Sequence, residues 1–242
     1  MLYEINMIGN VIFVIFLNTQ SIDSAVALYK TRHIRAENLK ESAEILQNVI
    51  NEDSTNLRAN YELSKVYSFL GYDAKTKEGK VLFYNKGVEY GKKAIRIDDN
   101  SEWAHLWYMA NTGRIGQLKG ILNAVNIIPE IKKEIEKILQ INPNSIEGLD
   151  ARAALYYELP GFLGGNLNKS MEDLNKAIVI DSNNTTLLVD IGKVYIKKKD
   201  YKKASLYLQK VIDMLNPTDE AGYVLSDKPN AIKLLNKYGT SR

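Results

Sequence analysis

Apolar residues recur at spacings of three and four along most of the chain, the period of helices with one buried face. Short clusters of Asp, Asn, Ser and Pro interrupt these runs. Four of the clusters share one pattern, an apolar pair followed by acidic or amide punctuation: "VINEDSTN" from Val49, "AIRIDDNS" from Ala94, "ILQINPNS" from Ile138 and "AIVIDSNN" from Ala177. A degenerate fifth copy, "VIDMLNPT", begins at Val211. Each cluster is predicted to end one helix, with its Ser, Thr or Asn capping the next.

The intervals between copies are 45, 44, 39 and 34 residues. The last is the length of a tetratricopeptide repeat, a two-helix unit. Within it Leu188 and Ile191 take the large apolar positions, Gly192 and Ala204 the small ones, and Tyr195 the aromatic one, with a turn at Asp200-Tyr201. Small residues let two helix backbones approach while larger ones fill the grooves beside them. The expected fold is therefore all-α, a right-handed tetratricopeptide-like α-solenoid of about four to five helix pairs. The longer early intervals predict elongated hairpins in the first half, with Pro129 kinking a helix or marking its start.

In the penultimate repeat "LPGFLGGN" inserts about five residues into the hairpin turn. Pro160 should stop the first helix, Gly161, Gly164 and Gly165 should supply positive φ, and Asn166 or Asn168 should cap the next helix. Glycines followed by Lys169-Ser170 also suggest a phosphate cradle. That motif needs glycine directly before the lysine and a strand leading in, whereas Asn168 precedes Lys169 and "LDARAALYYEL" reads as helix. The segment is a long turn.

Tyrosine is frequent, 15 residues against five phenylalanines and two tryptophans. "SEWAHLWYMANTGR" places Trp103, Trp107, Ala110 and Arg114 on one helical stripe, with Tyr108 and Asn111 beside it. Such a stripe packs a core or lines the concave face of a solenoid, where aromatic, Asn and Arg side chains make binding surfaces. On the second reading Asn111 and Arg114, ill suited to a dry core, rank first. Trp103, Trp107 and Tyr108 follow, with Tyr156, Tyr157 and Phe162 as weaker candidates.

Composition narrows the chemistry. The chain has no cysteine, which excludes disulfides, thiolate catalysis and cysteine-bound metal. Its two histidines, His33 and His105, are far apart, and no acidic cluster stands out, so neither an enzyme nor a metal site is expected, and no cofactor. A net charge of +3 gives no footprint for nucleic acid, and Lys197-Lys198-Lys199 with Lys202-Lys203 reads as a solvated helix end. Met7–Leu17 is an apolar run too short to span a bilayer but suited to a signal peptide, with Ala25-Val26-Ala27 as a cleavage pattern. Residues 1–27 are thus expected to be a signal segment, or else the first helix of the domain, and residues 28–242 the helical repeat domain.

The ordered set "WAHLWYMANTGRIGQLKG", "IIPEIKKEIEKILQINPN" and "GLDARAALYYELPGFLGGNLNKSMEDLNKAI" resembles the T component of TRAP transporters over about residues 35 to 215. Its most specific parts are Asn-x-Gly-Arg at Asn111–Arg114 and the turn at Leu159–Asn166. The resemblance implies a non-enzymatic periplasmic or envelope-associated protein that associates with a periplasmic solute-binding protein, holds a small apolar ligand and self-associates. Without a cysteine it would not be a lipoprotein. The alternative is a cytosolic tetratricopeptide scaffold that binds peptide segments of partner proteins.

Overall fold

The computed structural model describes residues 19–119 and 121–239, and the side chains of these except residues 121–125. Every regular element among them is helical. The apolar run Met7–Leu17 lies outside the described residues. In chain order the helices are α1 (residues 19–30), α2 (Asn38–Glu52), α3 (Leu57–Asp73), α4 (Lys77–Ile97), α5 (Glu102–Lys119), α6 (Ile121–Ile141), α7 (Ile146–Glu158), α8 (Leu167–Ile180), α9 (Thr185–Lys197), α10 (Tyr201–Ile212), α11 (Glu220–Gly222) and α12 (Lys228–Tyr238). Helices α1 to α10 form five successive pairs. The second and third pairs have the longest helices, as the intervals predict. Pro129 neither starts nor ends a helix, since α6 runs through it.

One turn recurs between pairs and explains the sequence pattern. Asp53, Asp98, Asn142 and Asp181 each stand at or just past the end of a helix. Each side chain accepts the N–H two residues on, at 2.9 to 3.1 Å. Three residues on stands the cap of the next helix: Asn56, Ser101, Ser145 and Asn184, each accepting a first-turn N–H. The punctuation thus satisfies amide groups that both helix ends leave open.

The chain divides into two compact units, up to Glu134 and from Ile135. In the first, Ile22 and Ala25 of α1 pack with Leu46, Leu63 and Val66 in one apolar cluster. Ser42 of α2 donates to the Ala25 carbonyl at 2.8 Å. The stretch around the expected cleavage pattern after Ala27 is therefore part of a core helix, with Ile22, Ala25 and Tyr29 at 0 to 7 % exposure. In the second unit Leu149, Leu174 and Ile191 centre one cluster, and Val189, Leu208 and Val211 another that α12 covers. Asp227, in a π-helical turn before α12, accepts hydrogen bonds from Thr185 and Thr186 of α9.

The long turn after α7 is rigidly specified. Pro160 is extended, Gly161–Leu163 make one 3-10 turn, and Gly164 has φ 100°. Gly165 and Leu163 both donate to the Pro160 carbonyl, Asn166 N–H reaches Tyr156 O, and the Asn166 side chain caps α8 by accepting from Asn168 and Lys169. The three glycines differ. Of the three, Gly164 alone has positive φ, whereas Gly165 is required because a Cβ there would lie 1.7 Å from Leu159 O. Gly161 faces open space. Urea unfolding should rank the alanine variants accordingly. Gly161→Ala should fall within about 0.5 kcal/mol of the parent. Gly164→Ala should cost about 1 to 2 kcal/mol, and Gly165→Ala more than either. Equal effects at all three would refute this account of the turn.

Candidate functional site: an aromatic wall in the first unit

The predicted stripe on α5 exists, but its flanking residues face elsewhere. Trp103 is 38 % exposed, Arg114 is exposed, and Trp107 and Ala110 are half-buried. Asn111, ranked first from sequence, is fully buried. It sits over Gly87, where a Cβ would lie 2.4 Å from its amide, and donates to Ser64 O and Trp107 O. Ser64 in turn donates to Gly87 O at 2.7 Å. Asn111 therefore ties α3, α4 and α5 together, and the absent side chain at Gly87 is what makes the core polar there. Tyr108 is buried as well, its hydroxyl donating to Glu130. Burial and then that carboxylate push its pKa far up.

Trp107 is the end of a ring series drawn from the first helices of three pairs. Tyr29 of α1 lies 5.1 Å from Phe69 of α3, and Phe69 lies 6.0 Å from Trp107, all tilted. The Arg32 guanidinium, 6 % exposed, lies 4.5 Å from the Tyr29 ring centre and 4.6 Å from that of Phe69. Lys65 stands 4.4 Å from Tyr29 and 5.5 Å from Trp107, with Glu62 at 3.6 Å. The Trp107 Nε1–H is buried and meets no acceptor among the described residues. Sequence reasoning found Trp103 and Trp107 but missed Tyr29, Arg32, Lys65 and Phe69. The available signal was an aromatic residue on each of three successive first helices.

Behind α5 a polar seam faces α6. His105, 4 % exposed, meets Glu134 at 2.5 Å through Nδ1 and the Asp99 carbonyl at 2.9 Å through Nε2. Both ring nitrogens face acceptors, which favours the doubly protonated ring. Burial opposes that charge, but the hydrogen bonds and carboxylates lift the pKa above its usual value. An open cavity of about 480 Å³ adjoins this seam, lined by Tyr108, Glu130 and Glu134 with Lys92, Arg96 and Lys133.

In the second unit the long turn makes a smaller cavity, about 400 Å³, that brings together Tyr156, Tyr157, Pro160, Gly161, Gly165 and Asn166. Lys197 closes it, its ammonium 4.2 Å from the Tyr157 ring centre and bonded to Tyr157 O. Phe162 takes no part, being 87 % exposed. Farther along α7, burial and the neighbouring Asp190 charge raise the Asp150 pKa well above the carboxylate range; Lys193, 2.6 Å from Asp190, opposes this.

With this geometry in place, likeness to known proteins is informative. Residues 22–160 match the family model described as "Regulator of microtubule dynamics protein 1-3", more than half of the chain. The chain belongs to that family. Residues 185–214 match a tetratricopeptide repeat model. Regulator of microtubule dynamics protein 1 from Bos taurus is 27 % identical over 160 residues, covering 59 % of this chain and 50 % of the relative. The Homo sapiens protein of that name is 25 % identical over 162 residues, covering 60 % and 51 %. The chain thus spans about half the length of these relatives. Among solved structures, a thermophilic tetratricopeptide protein of Thermus thermophilus superimposes with TM-score 0.68 at 12 % identity, covering 92 % of this chain and 97 % of that one. It establishes the tetratricopeptide-like α-solenoid fold.

Family membership corrects the expectation of a TRAP transporter T component, and with it the periplasmic placement, the signal peptide and the periplasmic solute-binding partner. The structure explains the mistaken resemblance. Asn111 is a packing residue between three helices and Leu159–Asn166 is a constrained hairpin turn, so both motifs report how the helices pack and turn. Neither reports transport.

His105 and Asp150 are two of the groups that make stability depend on pH. His105 has a folded pKa raised above about 6.5, so its contribution is present below that pH and lost as pH climbs through the raised value. Glu134→Gln should lower the melting temperature near pH 6 and flatten the decline toward pH 9. Asp150 binds its proton more tightly folded than unfolded, which penalises the folded state once pH exceeds the ordinary carboxylate value. Asp150→Asn should therefore raise the melting temperature at neutral pH. A parent melting profile flat across this range would contradict both assignments.

Proposed function

We propose that this chain is a non-catalytic scaffold which takes a polypeptide segment of a partner on the wall formed by α1, α3 and α5. The observation that carries this reading is the series Tyr29–Phe69–Trp107 with Arg32 and Lys65 set against the rings. Phe69, Trp107 and Lys65 are half-buried and can be touched, while Tyr29 and Arg32 are buried behind them and hold them in place. Rigid aromatic side chains offer contact area at low entropic cost, and a fixed cation attracts acidic residues. An extended segment pairing an acidic residue with an apolar one fits this surface, with Lys65 and Arg114 receiving the acid.

The family's description, which names regulation of microtubule dynamics, supports reading the setting as cytoplasmic and the partner as a microtubule component. Membership of a tetratricopeptide-type fold supports binding over catalysis, as do hydrogen bonds that commit His105 and the raised Tyr108 to internal partners.

The protein should pellet with microtubules and alter their growth. Trp103 and Trp107 are the chain's two tryptophans, so intrinsic fluorescence should report partner binding at this wall directly. Arg114→Ala and Lys65→Glu should each weaken binding by about tenfold, with the Arg114 variant keeping its melting temperature. Unchanged affinity in both variants, or absence of microtubule binding with the fold intact, would count against the proposal.

A further inference from the structure

Phe162 and the lysine run Lys197–Lys199 are far apart in sequence, and neither belongs to the wall above. The second unit places them on one edge. Lys198 Nζ donates to Asn168 Oδ1 at 2.7 Å, and Lys197 reaches Tyr157 O, so the α9–α10 turn lies against the α7–α8 turn. Phe162 stands at the tip of the latter, 87 % exposed, on a turn whose Pro160, Gly164 and Gly165 hold it in one path. Lys199 is held at the neighbouring tip in a left-handed conformation, φ 61°. Lys169 begins α8 and Lys202 begins α10, both at this same end.

The charge here is lopsided. Glu158 and Asp200 are the acids beside these lysines, with Glu172 one turn along α8 from Lys169 and paired with Lys176 at 2.9 Å. Asp200 is committed to capping α10 and pairing with Lys203 at 3.3 Å. The ammonium groups of Lys199 and Lys202 bond to no acceptor among the described residues. We infer that this edge docks the second unit onto an anionic phospholipid surface, with the lysines over the headgroups and Phe162 entering the interfacial layer. Clusters of four or more lysines are drawn to such surfaces, and an exposed aromatic ring on a fixed turn gains by leaving water there. An acidic protein would pair the lysines but leave Phe162 solvated, which is why a lipid surface is the better occupant.

Because the chain has no cysteine, Phe162→Cys permits a single environment-sensitive dye at the tip of the full protein. The dye should brighten with phosphatidylcholine vesicles containing phosphatidylserine, remain dim with phosphatidylcholine alone, and dim again on raising salt. A dye at Val179→Cys, another exposed position, should stay silent. Lys199→Glu with Lys202→Glu should weaken the response by about tenfold while far-UV circular dichroism is unchanged. A silent dye at position 162 would overturn the inference even where the protein sediments with vesicles. So would equal brightening on neutral vesicles or at both positions, or a response to polyglutamate instead of lipid.

Discussion

A buried polar node fixes the geometry of the first unit. Ser64 donates to the Gly87 carbonyl, and Asn111 donates to the Ser64 carbonyl and back to Trp107. Three helices can meet so closely only because Gly87 has no side chain. Once they meet, the Ser64 hydroxyl and the Asn111 amide donor find backbone acceptors, while Asn111 Oδ1 stays buried without a partner among the described residues. Leaving one of these donors unsatisfied would cost about 1 to 3 kcal/mol, so α5 has little freedom to rotate about its axis. That rotation decides which side of α5 faces outward, and so places Trp107 beside Phe69. Simpler versions close other pairs: Ser42 to Ala25 and Ser170 to Ala153, both at 2.8 Å and both spanning 17 residues.

The repeat turns were legible in the sequence because their chemistry is local. An Asp or Asn two residues before the backbone N–H that donates to it, and a Ser or Asn cap three residues on, are readable without knowing what packs above. Hairpin lengths follow from the same markers. The orientation of α5 was not legible, since apolar or aromatic residues lie on nearly every side of it and periodicity alone selects no buried face. Asn111 was misplaced for a related reason: a polar residue enters a core when a neighbouring helix supplies both the space and the partners, and Gly87 is 24 positions away. The turn glycines show the limit again, because only backbone coordinates separate the close approach at Gly165 from the open surroundings of Gly161.

The same facts explain why shared motifs misled as to function. Asn111 and Gly165 are dictated by how hairpins pack and turn, and any family that builds elongated helical pairs meets those demands. A motif made of such residues carries the fold. Function has to be sought where packing makes no demand: the face of α5 turned away from the node, and the exposed tips of the turns.

The tyrosines sharpen this distinction. Lys86 lies over Tyr67, Lys93 over Tyr90, Lys203 over Tyr195, Lys210 over Tyr207 and Lys228 over Tyr223, each at 4.5 to 5.4 Å from the ring centre. These contacts recur in both units, on rings that are buried (Tyr67, Tyr90, Tyr223) or half-buried (Tyr195, Tyr207), and the hydroxyls of Tyr90 and Tyr223 donate to Gln47 and to Ile212 O. Tyrosine outnumbers phenylalanine because such a position suits a ring with a polar end. A lysine over a tyrosine is therefore ordinary surface construction in this chain and marks no site. The α1–α3–α5 wall departs from it in three respects: Phe69 and Trp107 replace tyrosine, an arginine is set between two rings, and that arginine is nearly excluded from solvent. A cation taken out of water is costly unless the surrounding groups replace its hydration. Here the Tyr29 carbonyl, which accepts from Arg32 at 3.3 Å, and the two ring faces replace part of that hydration, so the arginine is built into the wall.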